Sequence, residues 1–240
     1  LRAHPAHPLR AALPGLDAVL TYGGGEPVVS AYRALGARFC APITNALDPD
    51  THHPVPADGR FAADLGFLGN RLPDREARVD EFFFRPASAT PTRRFLLGGA
   101  GWDDKGRSEN VRYVGHVGTA DHNAFNAGPM AVLNISRDGM AAMGFSPATR
   151  VFEAAGAGAC ILTDAWPGID SFFAPGEEIL VARDGSDVAA ILDGLDAARA
   201  REIGAAALAR VLRDHTYAER ARVADAIFRD RLTAKRERGA

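Results

Sequence analysis

Short apolar runs alternate along the chain with segments whose apolar residues recur at helical spacing. Residues 17–22 form an apolar run stopped by Gly23-Gly24-Gly25. Residues 26–35 carry helical spacing, with Pro27 near the start, where a missing N–H costs nothing, and residues 37–44 are strand-like again. A strand, helix and strand in this order predict parallel pairing, since parallel strands need a crossover. Residues 45–60 break the alternation with several prolines and no apolar period, which predicts a linker with a solvated His52-His53 pair. The alternation then resumes. Strands are expected at 63–68, 94–97, 111–114, 131–135, 159–163 and 178–181. Helices are expected at 73–85, 121–127, 147–155, 188–195, 198–213 and 217–232, followed by about ten frayed basic and polar residues. The strands read as continuous apolar runs, as when helices cover both faces of a sheet. The expected fold is α/β, with a Rossmann-like doubly wound parallel sheet.

Composition narrows the function classes. The 240 residues are 47% hydrophobic and 24% charged, with net charge −2, so no overall field draws in nucleic acid or an anionic membrane. No stretch reaches the roughly 20 apolar residues of a membrane span, and no signal-peptide pattern opens the chain, so a cytoplasmic protein is expected. Leu1 in place of methionine raises the expectation that this is the later part of a longer protein. Cys40 and Cys160 lie far apart in apolar runs and read as small buried hydrophobes. No metal-ligand spacing is evident, and Asp48-Pro49-Asp50 reads as turn chemistry.

Parallel sheets bind ligands beyond the carboxyl ends of their strands, so each strand-to-helix turn is a candidate site. In the first, Gly69 admits close approach, Asn70 offers an amide, and Arg71 offers a fork of donors suited to phosphate. In the second, Arg137-Asp138 follows a strand. Ser146 then reads as the N-cap of a helix with Pro147 at its first position, whose exposed N–H groups would seat a diphosphate. Thr149 adds a hydroxyl in that turn, with Arg150 beside it. Glu153 lies four residues beyond Thr149 on the same face, about 10 Å along the axis from the cap. Its carboxylate suits a ribose diol, and the competing reading is a surface pair with Arg150. Three further features stay open. Gly23–Gly25 either lines the cleft or makes a tight turn, His116 and His122 either touch a ligand or cap and coat the surface, and Trp166 either stacks or caps the core.

The stretches GFSPATRVFEAAGAGACILTD, WPGIDSFFAPGEEILVARD, DLGFLGNRLPDRE and YVGHVGTADHNAFN resemble the C-terminal domain of GT-B glycosyltransferases. More narrowly they resemble the CgeB-like, glycosyltransferase family 1-like group. The resemblance implies two Rossmann-like domains around a cleft. Residues 1–56 would be the remnant of an acceptor-side domain with its linker, 57–215 the nucleotide-sugar-binding domain, and 216–240 a helix and basic tail. It implies hexosyl-type transfer from a nucleoside-diphosphate sugar to an unknown acceptor. Helix N–H groups and Arg71 at the leaving diphosphate would remove the need for a metal, so no metal or other cofactor is expected. Gly69, Asn70, Arg71, His116, Ser146, Thr149, Arg150 and Glu153 would hold the donor. Arg71, Arg137 and Asp138 would act at the reacting centre. Phe145 stands where many such enzymes carry an acid, which keeps open a non-catalytic binding module or a GT-B-fold sugar-nucleotide epimerase.

Overall fold

The computed structural model describes residues 4–239, so Leu1 and Ala240 lie outside them. In chain order the strands are β1 (Val19–Thr21), β2 (Cys40–Pro42), β3 (Leu65–Leu68), β4 (Phe95–Gly98), β5 (Val111–Tyr113), β6 (Ala131–Asn134), β7 (Ile161–Asp164) and β8 (Leu180–Ala182). The helices are α1 (Pro8–Ala12), α2 (Glu26–Ala34), α3 (Glu76–Val79), α4 (Arg85–Ala89), α5 (His122–Ala127), α6 (Asp138–Met143), α7 (Thr149–Gly156), α8 (Gly185–Gly194), α9 (Ala197–Asp214) and α10 (Tyr217–Gly239). A π-type segment, Asp80–Phe84, joins α3 to α4.

Strands β3 to β8 form one wholly parallel sheet in the order β5-β4-β3-β6-β7-β8. Every residue of β3, β4, β6 and β7 is buried, as expected of strands covered on both faces. Alternate positions feed two layers. Leu65, Phe67, Phe95, Leu97 and Leu133 pack under Val79, Phe83, Val188 and Leu192. On the other face Val132 and Ile161 meet Val151, Phe152, Ala207 and Val211. Each such side chain contributes about 1.5–3 kcal/mol on burial. Both cysteines are buried free thiols.

β1 and β2 form a separate two-stranded parallel sheet with α2 as the crossover. The segment expected to be a free linker is anchored. Leu47 is fully buried and bridges Thr216, with Leu47 N–H donating to His215 O at 2.8 Å and Tyr217 N–H to Leu47 O at 3.0 Å. Asp48 does make a turn, its carboxylate accepting from Asp50 N–H and the Thr51 hydroxyl. His52 is not solvated. It is buried and stacks on His122, with ring centroids 6.3 Å apart. The expected frayed tail is helical instead, because α10 crosses back to the small sheet, where Lys235 and Arg238 pair with Asp17 at 2.8 and 3.2 Å. No helix among the described residues is long and apolar enough to cross a membrane.

Candidate active site

The strand order reverses between β3 and β6, and the ligand crevice of an open parallel sheet lies outside the carboxyl ends at that switch. The loop after β3, the segment after β6 and the start of α7 meet there, facing Tyr22-Gly23-Gly24 at the end of β1. Between the two units lies a cavity of about 610 Å³ whose lining includes Gly23, Gly24, Asp74, Arg137 and Ser146. The glycine run therefore lines the cleft. A Cβ on Gly23 would stand 2.4 Å from Ser146 Oγ, so close approach of the units requires glycine.

Ser146 is not a helix cap. Its hydroxyl accepts from Gly24 N–H at 2.9 Å and donates to Gly144 O at 2.9 Å, joining the two units. With that oxygen committed, α7 starts at Thr149 behind Ala148, two residues later than the Ser-Pro pattern predicts, and no side chain caps it. In its first turn Val151 N–H turns back to Ala148 O at 3.0 Å, and the helix start carries the positive end of the dipole. The Thr149 hydroxyl accepts from Asn45 Nδ2 at 2.8 Å.

The loop after β3 distributes its side chains differently from expectation. Asn70 Oδ1 accepts from Ala100 N–H at 2.9 Å, and Gly69 O accepts from the Trp102 indole at 2.8 Å, so both residues fasten the loops after β3 and β4. Arg71 turns away from the switch point. Its guanidinium pairs with Glu76 at 2.6 Å and with Asp104 at 2.8 Å, which spends the fork intended for phosphate. Glu76 in turn lifts the Arg71 pKa, so this cation is fully committed. Arg75 instead folds inward over the end of β3, against Gly69 and Phe67. One Nη donates to Asn70 O at 2.6 Å, and its guanidinium lies 5.5 Å from the Phe67 ring centroid. Burial pushes its pKa down, and the like charges of Arg150 and Arg137 push the same way.

Arg150, in α7's first turn, also has its pKa lowered by burial. Arg75 Nε and Arg150 Nη1 are buried N–H groups without a hydrogen-bond partner. Arg137 heads α6, a helix that the sequence pattern did not reveal, and donates to Asp74 Oδ2 at 2.6 Å. Asp138 is exposed in the first turn of α6. Beneath them the fully buried Asp164 pairs with Arg78 and accepts from Ser136 N–H and Oγ at 3.0 and 3.1 Å, tying β7 to β6.

Glu153 lies between His52 and Arg150 without a hydrogen bond to either. Its oxygens are 3.7 Å from His52 Nε2 and 3.8 Å from Arg150 Nη1. The Arg150 pair foreseen as the competing reading is thus present but loose. Its side chain is 19% exposed, and no described residue donates a hydrogen bond to it. His122, with His52 stacked on it, is kept below its usual pKa by burial and then by Arg150. It completes the polar group His52, His122, Arg150 and Glu153. His116 is exposed on the loop after β5. Trp166 caps the core against Phe172.

Arg75 and Asp74 are residues that sequence reasoning passed over, and His52 is one that it read as solvated. For Arg75 a signal existed, an arginine in the turn that starts a helix after a buried strand. For His52 none did.

Residues 75–225 match the glycosyl transferase-like family. The chain belongs to that family. Among solved structures, HepE from Anabaena in complex with UDP-glucose superposes with a TM-score of 0.69 at 14% identity, covering 91% of this chain and 66% of HepE. Sucrose-phosphate synthase from Thermosynechococcus elongatus gives 0.68 at 18% identity, covering 94% of this chain and 61% of the synthase. TarM gives 0.68 at 13% identity, covering 92% of this chain and 45% of TarM. The chain thus spans less than two thirds of each of these proteins. No curated protein sequence matches it. At these identities the likeness concerns the fold, which is the Rossmann-like α/β architecture of GT-B glycosyltransferases.

Proposed function

We propose that this chain binds a nucleoside-diphosphate sugar at the β3/β6 switch point and transfers the sugar to an acceptor hydroxyl, as a member of the CgeB-like branch of its family. The observation that carries this reading is the pair of buried guanidinium N–H groups left unpartnered, on Arg75 and Arg150, beside an uncapped helix start. Buried guanidinium N–H groups with no acceptor call for a ligand rich in acceptors, and a diphosphate supplies both acceptors and charge. Glu153, short of donors, accepts the ribose hydroxyls. The exposed loop of His116 flanks the base.

In the transfer, the acceptor oxygen bonds to the anomeric carbon as the bond from that carbon to the diphosphate oxygen breaks. The electron pair leaves on the diphosphate, which also takes up the acceptor's proton. Arg75, Arg150 and the helix N–H groups, fixed beforehand, stabilise the growing negative charge without reorganising. In this scheme they take the charge-neutralising role of a metal, and the donor is hexosyl. The charged donor, which does not cross a bilayer unaided, sets the reaction in the cytoplasm. Arg137 and Asp138 flank the sugar end of the crevice.

The test is Glu153→Gln against UDP and 2′-deoxy-UDP by calorimetry. Wild type is expected to prefer UDP about tenfold, and the variant to lose that preference. An unchanged preference removes Glu153 from the ribose.

One observation favours a second reading, a binding module without turnover. Phe145, in the position of the family's acid, is a wedge at φ 47° packed between Gly25 and Gly168. Nucleotide-sugar binding without release of nucleoside diphosphate, whatever the acceptor, would select it.

A further inference from the structure

We infer that the acceptor is an uncharged alcohol or phenol carried on a flat apolar body, seated in the cavity between the two units. The inference rests on the donor reading above and extends it to the second substrate.

The cavity gathers large apolar side chains that the fold leaves uncovered. Tyr22 is 61% exposed, Met143 53% and Leu20 37%, and all three line the same concavity with Tyr32 and Met140. Scattered exposed hydrophobics mean little, but several converging in one hollow mark a binding surface. Its volume of about 610 Å³ is that of a small-molecule site.

The polar atoms of the lining decide the class. The Ser146 hydroxyl is spent between Gly24 and Gly144, and the Thr21 hydroxyl donates to Gly23 O at 3.1 Å. Asp74 and Arg137 neutralise each other at 2.6 Å, so the wall carries no net charge for an anionic acceptor. Among the lining side chains this leaves the hydroxyls of Tyr22 and Tyr32 and, at one end, the outer edges of the Asp74–Arg137 pair, Arg137 Nη and Asp74 Oδ1. An oligosaccharide would bring many more hydroxyls than these can match. Each one buried without a partner costs about 1–3 kcal/mol. An aromatic or fused-ring body needs no such partners and stacks on the tyrosines, with the methionines adapting around it.

Orientation follows from the remaining groups. The Asp74–Arg137 pair adjoins Arg75, the proposed diphosphate ligand, so the one polar end of the acceptor turns that way. Its oxygen then meets the anomeric carbon as the bond to the diphosphate breaks.

The experiment uses the full chain with 2-naphthol and maltotriose as acceptor probes and UDP as the donor probe. Binding is followed by saturation-transfer NMR, and transfer by mass spectrometry across a panel of nucleotide sugars. Wild type should bind and glycosylate 2-naphthol in preference to maltotriose. The double variant Tyr22→Ala/Met143→Ala should bind 2-naphthol about tenfold more weakly, with UDP affinity within about twofold of wild type. Tyr22→Phe should behave as wild type. Preference for maltotriose, or a double variant that binds 2-naphthol unchanged, overturns the acceptor class while leaving the donor site standing. Failure of wild type to bind any nucleoside diphosphate, with 2-naphthol still seated, overturns the donor reading and with it the acceptor role of the cavity.

Discussion

Replacing Arg75 by methionine separates a functional arginine from a structural one. The substitution keeps the aliphatic stem over Phe67 and removes the guanidinium. In the ligand-free protein the losses are the hydrogen bond to Asn70 O, at 2.6 Å, and a cation–π contact worth about 0.5–1 kcal/mol. The gain is relief from holding a cation out of water, the main origin of its depressed pKa, to which Arg150 and Arg137 add and which Asp74 and Asp164 oppose. These oppose each other, so unliganded stability should move by no more than about 1 kcal/mol, a few degrees in Tm for a chain this size. Binding behaves differently. Two charge-assisted hydrogen bonds to a diphosphate are worth about 1.5–3 kcal/mol each, and part of one repays the bond to Asn70. A net loss of about 2–4 kcal/mol weakens UDP roughly 30- to 1,000-fold. Uridine, which lacks the phosphates, should bind as before. Calorimetry with both ligands and a thermal melt read the three quantities. Arg71→Met is the control. It should leave UDP affinity alone while costing stability, because Glu76 and Asp104 lose their partner. Equal weakening of UDP and uridine by Arg75→Met, or a larger loss of UDP affinity in Arg71→Met, would refute the assignment.

Three further outcomes follow from the packing. His215 accepts from Arg220 at Nδ1 and therefore donates from Nε2 to Phe172 O, and burial holds its pKa below the usual value. The unfolded chain takes up a proton that the folded one resists, so Tm should fall from pH 7 to 5, with a shallower fall in His215→Gln. Gly168 has φ +87°, and a Cβ there would meet the Phe145 ring at 2.2 Å. Gly168→Ala should cost about 1–2 kcal/mol for the backbone plus the displacement of Phe145, measured by urea unfolding. Burial pushes the Cys160 thiol up to about 12. It should resist an aromatic disulfide reagent at pH 8 until the protein is unfolded.

The large sheet was legible because its strands are buried on both faces, so β3, β4, β6 and β7 stand out as unbroken apolar runs. Helix ends were less so. The Ser146-Pro147 pattern is a sound local start signal, yet Gly24, more than a hundred residues away, takes the serine oxygen and α7 starts later. The basic end of the chain reads as frayed because its partner, Asp17, lies at the other end of the sequence. α6 escaped notice because six residues containing a glycine carry no readable period.

The site divides along the same line. That the loop after β3 and the helix holding Glu153 meet at a crevice follows from alternation and the parallel-sheet rule, both local. Which arginine of that loop faces the crevice is not local. Arg71 and Arg75 sit four residues apart at the edge of one short helix, and either is a credible phosphate ligand by type. The decision falls to Asp104 and Glu76, whose carboxylates neutralise Arg71, and to Asn70, whose carbonyl holds Arg75 inward. A cation already paired adds little to anion binding, because the ligand must first displace its carboxylates. A cation held among like charges gains most from one. Unspent donors are therefore the better guide to this site than residue type. By that measure the proposed donor site places the phosphates against Arg75 and Arg150, while Arg71 is held by Glu76 and Asp104.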